Sequence, residues 1–85
     1  MGFDSPDDLN RFIKQLRDEL ESVGHHGAAA RLASVQDSAF TTGSEWLGEL
    51  GTAVKEIRKA ETLPAALDKK LDQIMKEVRR VWRRF

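Results

Sequence analysis

Apolar residues recur along this chain in steps of three and four, and no stretch alternates apolar with polar convincingly enough for a strand. That rhythm belongs to helices that each bury one side. Leu9, Phe12, Ile13, Leu16, Leu20 and Val23 project onto an arc of about 100°, while Trp46, Leu47, Leu50, Ala53, Val54, Ile57 and Ala60 project onto about 140°. Leu67, Leu71, Ile74, Met75, Val78, Val81, Trp82 and Phe85 fall in a stripe about 120° wide. Between the first two sets, Ala29, Leu32, Ala33, Val35, Ala39 and Phe40 mark the inner side of a shorter, alanine-rich helix able to approach its neighbours closely. The widest arc predicts that the helix carrying it touches two neighbours.

Local signals set the boundaries. Ser5 reads as an N-cap, Pro6 as a first helical residue whose missing N–H costs nothing, and Asp7 and Asp8 as carboxylates in a positive first turn. Gly24 reads as the left-handed residue that ends this helix, with His25, His26 and Gly27 in a short connector. The second helix is expected over about Ala28 to Ala39. Thr42 and Glu45 stand at capping-box spacing, with Ser44 an alternative cap, before a third helix that runs to Lys59 or Ala60. Pro64 separates it from a fourth helix expected over Pro64 to Arg84. The outcome is one all-α domain, residues 1–85, built as a small antiparallel bundle of four helices, three long and the second short.

Two positions sit awkwardly in this pattern. Gln36 falls inside the apolar arc of the second helix, which predicts either a boundary amide bonding a loop carbonyl or a polar handle in a groove. Gly48 and Gly51 lie inside the third helix, where each costs about 1 kcal/mol against alanine. Close approach of another helix, or of a second subunit, would account for them. On the outer face of the first helix, Asp7–Arg11, Lys14–Asp18 and Arg17–Glu21 stand at ion-pair spacing.

Charge then adds a polarity. The chain is formally neutral, yet residues 1–45 hold eight acidic and four basic side chains, and residues 46–85 hold six acidic and ten basic ones. Either the halves neutralise each other in the fold or they offer surfaces to different partners. Cysteine is absent, so there is no disulfide framework and no thiolate, and a reducing compartment is expected. No leader-like or membrane-spanning run is visible, which predicts a soluble, cytoplasmic protein. The style, a short cysteine-free chain with capped helices and a basic tail, is that of many small bacterial proteins.

Candidate chemistry is sparse. His25 and His26 are adjacent, a spacing that seldom brings two rings to one ion, and no third ligand is patterned with them, so no metal site and no cofactor are expected. The carboxylates project onto polar faces or helix starts, and no serine stands in a nucleophile setting. No enzyme is predicted. Lys76, Arg79, Arg80, Arg83 and Arg84, interleaved with Trp82 and Phe85, form the densest cationic group. Three binding roles compete for it: a protein partner or a second copy of the chain, a nucleic acid, and a membrane surface. Trp82 and Phe85 belong to the apolar stripe, and the bases spread over the opposite half of the helix, which weighs against nucleic acid. A helix-turn-helix arrangement would bring Glu45 and Glu49 against phosphates. The unbroken stripe from Leu67 weighs against the membrane.

The leading expectation is a non-catalytic protein-interaction module of the adaptor, antitoxin or inhibitor, or assembly-subunit kind, self-association included. Its partner-binding residues are Arg79, Arg80, Trp82, Arg83, Arg84 and Phe85, with Gly48 and Gly51 as a helix or subunit contact. Val81, Trp82 and Phe85 are expected to overhang the first helix beside Leu9, Phe12 and Ile13, making an apolar end rimmed by arginine. A small-molecule substrate is not expected.

Overall fold

The computed structural model describes residues 5–38 and 43–83. Four helices follow one another: α1 Pro6–Ser22, α2 His26–Asp37, α3 Gly43–Ala60 and α4 Ala65–Val81. Helix α1 neighbours α2 and α4, α3 neighbours the same two, and the diagonal pairs do not approach. Links between matched ends, such as Glu19 of α1 with Lys70 of α4 and Arg58 of α3 with Asp68 of α4, make neighbours antiparallel. The result is an up-down-up-down bundle measuring 32 × 23 × 22 Å.

Each helix contributes the residues that its three-and-four spacing selects. Leu9, Ile13, Leu16 and Leu20 of α1 meet Ala28, Ala29, Leu32 and Val35 of α2, Leu50, Ala53, Val54 and Ile57 of α3, and Leu67, Leu71, Ile74, Met75 and Val78 of α4 in one core. Among the described residues no polar or charged side chain is buried. Phe12, Trp46, Leu47 and Leu63 pack half-buried against the cluster. No helix among the described residues is long and apolar enough to cross a membrane.

The ends of α1 form as expected. Ser5 Oγ accepts the Asp8 amide at 3.2 Å, and Gly24 adopts φ +87°. The chain then closes with two bonds, His25 N–H to Leu20 O at 2.8 Å and Gly24 N–H to Glu21 O at 3.2 Å, which satisfy carbonyls that the helix leaves open. Nothing lies within 4 Å of where a Gly24 side chain would go, so only the backbone demands glycine there. Gly24→Ala should therefore cost about 1–2 kcal/mol, the left-handed penalty of an L-residue. A thermal melt checks this, with about 4–8 °C lost per kcal/mol in a domain of this size.

Several boundaries and contacts differ from expectation. Helix α2 starts at His26, because the turn at Gly24 is completed by His25 and the next residues wind at once. Its predicted end, with Ala39 and Phe40, lies outside the described residues, as does Thr42 of the predicted capping box. Val23 falls at the C-cap of α1 and is 54% exposed, and Ala60, expected inside, is exposed at the last turn of α3. Helix α4 ends at Val81, three residues before Arg84. On α1 the expected charge ladder is replaced: Arg11 lies 3.8 Å from Asp8, Glu21 turns to His26, and Arg17 donates to Gln36 at 2.7 Å. For Arg17 and Glu21, partners offered by α2 displace the local ones.

Candidate functional site

The end of α4 is where the sequence places its candidate residues, and the structure rearranges them. Trp82 leaves the helix at φ −111° and ψ 87°, its amide still bonded to Val78 O at 2.8 Å. From there the indole turns to α3 rather than to α1. Its Nε1–H donates to Ser44 O at 2.6 Å, and the ring lies over Gly48, where an added Cβ would stand 3.3 Å from Nε1 and 3.4 Å from Cε2. Gly48 is thus the floor on which Trp82 rests, a close approach that explains one of the two awkward glycines. Gly51 is buried one turn further along. Thr52 Oγ donates back to Gly48 O at 3.1 Å.

The expected overhang onto α1 is corrected by the same geometry. Leu9 and Ile13 are already enclosed in the core, at 3% and 0% exposure, and have no free side to offer. Val81 points to solvent with 49% of its surface exposed, and Trp82, held by one edge, keeps 40%. Around them stand Arg80 and Arg83, both exposed, with Arg80 Nη1 3.1 Å from both oxygens of Glu77. Arg79 is also exposed. Arg84 and Phe85 lie outside the described residues.

Other polar groups are occupied in holding helices together. Gln36 spans α2 and α1, donating to Asn10 O at 3.0 Å and accepting from Arg17, so the carbonyl it satisfies belongs to a helix and not to a loop. His25, half-buried, places Nδ1 2.8 Å from Glu61 Oε1 and ties the first connector to the third. His26 is exposed beside Glu21. Among the described residues no group of three histidine, cysteine, aspartate or glutamate side chains could hold a metal ion. Arg31 of α2 sits between Glu56 at 2.8 Å and Glu49 at 3.7 Å, and its hydrogen bond to Glu56 holds the guanidinium above its ordinary pKa.

An open depression of about 280 Å³ lies at this α2–α3 seam, lined by Gly27, Arg31, Glu56, Ile57, Ala60 and Glu61. Its charged walls are already engaged, Arg31 with Glu56 and Glu61 with His25. The Val81–Trp82 corner differs in offering two large exposed apolar side chains to solvent. In the sequence Trp82 and Gly48 stand out separately and Ser44 only as an alternative cap, because its contribution here is a main-chain carbonyl with no signature in residue type. Comparison of the chain with protein-family models, with curated proteins and with solved structures finds no match.

Proposed function

We propose that this chain is a non-catalytic protein-interaction module that docks a partner protein on the C-terminal end of α4. The observation that carries the reading is the corner made by Val81 and Trp82, 49% and 40% exposed, beside Arg80 and Arg83. Tryptophan and arginine dominate binding hot spots because a flat ring and a forked cation cover area and pair specifically. Trp82 is already fixed by Ser44 and Gly48, so little side-chain freedom is left to lose on binding.

Absence of catalysis is part of the proposal, supported by where the carboxylates stand. Glu19, Glu61, Asp68, Asp72 and Glu77, the half-buried ones on or beside α4 and α3, each face Lys70, His25, Arg58, Lys76 or Arg80. Carboxylates matched with cations in this way brace a surface, whereas an acid–base pair needs one member pushed away from its ordinary behaviour in a sheltered cleft.

Affinity capture of the tagged chain from lysate of its source organism, divided into nuclease-treated and untreated halves, tests the class. A protein retained in stoichiometric amount after nuclease treatment is the expected result. Loss of all captured material with nuclease would contradict it and assign the arginines to phosphate. In that event binding should fall steeply and linearly in log–log form with salt, and should weaken when Arg79, Arg80, Arg83 and Arg84 become glutamine.

A further inference from the structure

Projected at about 100° per residue, the charges on the α3–α4 side of the bundle separate by sign. On α3, Arg58 meets Asp68 and Asp72 of α4, and the exposed Lys55 and Lys59 follow it round the helix by about 60° and 100°. The exposed carboxylates of α3, Glu45, Glu56 and Glu49, come about 140–180° on, and the last two meet Arg31 of α2. On α4, the exposed Arg79, Lys76 and Lys69 follow Asp68 by about 20°, 80° and 100°. Asp68 and Asp72 lie half-buried between the two rows, held by Arg58 and Lys76, and Lys76 still keeps 72% of its side chain exposed. The outer face of the α3–α4 pair thus turns Lys55, Lys59, Lys69, Lys76 and Arg79 to solvent and, among the described residues, no exposed carboxylate. Helix α1 shows no such sorting, for its exposed Asp7, Asp18 and Glu21 are interspersed with Arg11 and Lys14.

From Lys69 to Arg79 the face runs about 15 Å along α4, and Lys55 and Lys59 flank it on a helix whose axis is about 8–10 Å away. One strand of a nucleic acid carries a phosphate about every 3.4 Å of axis, so this length spans about four of them. We infer that the outer face of α3 and α4 binds the sugar-phosphate backbone of a nucleic acid, its five cations replacing counterions and reading no base. The inference goes beyond the protein-docking reading and leaves it intact. Val81 follows Asp68 by about 220°, next to Lys70 on the flank that meets Glu19 of α1, so the two surfaces lie on different sides of α4.

The apolar content of the face selects the occupant. Among the described residues the large exposed apolar side chains are Val23, Val81 and Trp82. Val23 ends α1, Val81 lies on the α1 flank, and Trp82 sits at the rim with its ring on Gly48 and its N–H on Ser44. A protein partner draws its affinity from a desolvated apolar centre, which the five cations do not enclose. Phosphates need only the cations. A second copy of the chain would have to offer an acidic helix face, and the carboxylates of α1 stand among Arg11 and Lys14.

The test is fluorescence anisotropy of the full chain with labelled mixed-sequence oligonucleotides of about 20 units, as single-stranded DNA, single-stranded RNA and duplex DNA, in about 50 mM salt. Binding to any of the three is the expected result, with a log–log salt slope of about −3, and the tightest arm names the source of the backbone. K59Q/K69Q should weaken binding at least about threefold and make the slope shallower by about 1–2. Lys14→Gln on α1 should change neither. The double substitution spares the fold, because neither lysine is paired with a carboxylate and Lys76 and Arg80 go on holding Asp72 and Glu77. Matching circular dichroism and melting curves check this. No binding to any arm, an unaltered slope in K59Q/K69Q, or displacement by poly-glutamate as efficient as by unlabelled nucleic acid would overturn the inference. If no oligonucleotide binds while a captured protein survives nuclease treatment, the nucleic-acid face is retired and the docking module stands. Oligonucleotide binding with no protein retained would do the reverse.

Discussion

Leu71→Ala should remove about 2–5 kcal/mol of stability, the range for deleting a leucine from a packed interior. Leu71 lies midway along α4, is 0% exposed, and belongs to a core in which no polar side chain is buried. The loss combines the transfer of the deleted methyl groups with the cavity left behind, because helices each packed against two neighbours cannot collapse freely into it. Chains of this length hold about 4–13 kcal/mol in total, so the variant should retain a fraction of its stability or unfold. Urea denaturation followed at 222 nm checks it: the midpoint should fall while the slope stays constant. A change below about 1 kcal/mol would mean that the four helices do not meet in the described core.

Trp82→Ala should cost about 2–3 kcal/mol, less than a fully enclosed tryptophan because two fifths of the residue is already in solvent. Trp82→Phe keeps most of the ring but loses the bond to Ser44 O, and should cost about 1 kcal/mol. The contact with Gly48 makes a sharper prediction. Alanine at 48 gains about 1 kcal/mol in helix propensity. In the wild-type chain its Cβ would stand 3.3 Å from the indole nitrogen, closer than ordinary packing permits. Gly48→Ala should thus stabilise the Trp82→Ala background by the full propensity difference and help the wild type less or not at all. The coupling appears directly in a double-mutant cycle. Additive effects would contradict the seating of Trp82 on α3.

How far these features were legible depends on the distance over which each interaction acts. The start of α1 was readable because Ser5 caps Asp8 three residues away, and its end because the turn at Gly24 satisfies two nearby carbonyls, Glu21 O from the Gly24 amide and Leu20 O from the His25 amide. The core positions of α1, α3 and α4 follow from helical phase alone. Phase misled at the end of α4, where Val81 and Trp82 continue the apolar stripe on paper. The chain instead turns out of the helix so that Trp82 can reach an acceptor 38 positions earlier. Periodicity cannot register that choice, since a helix that continues and one that folds its last side chain back share a pattern.

Gln36 was legible as a boundary amide bonding a carbonyl, but not its partners, because Asn10 and Arg17 lie on another helix. Gly48 was legible as an anomaly but not as a cause, because the ring that rests on it comes from α4. The basic face of α4 was half legible. Lys76 and the arginines stood out by density, whereas Lys69 joins them only at helical spacing. The retreat of Asp72 and Glu77 to the flanks follows from which side of α4 meets its neighbours.

The proposed protein-docking surface is the Val81 end of α4. Val81→Asp tests it most directly, because this side chain faces solvent and its replacement leaves the core and the Trp82 seat in place. Nuclease-treated capture should be repeated with this variant beside the wild type, after their melting curves have been shown to agree. The retained protein should be lost from the variant and kept by the wild type. Equal retention by both would contradict it and move the docking surface to another face of the bundle.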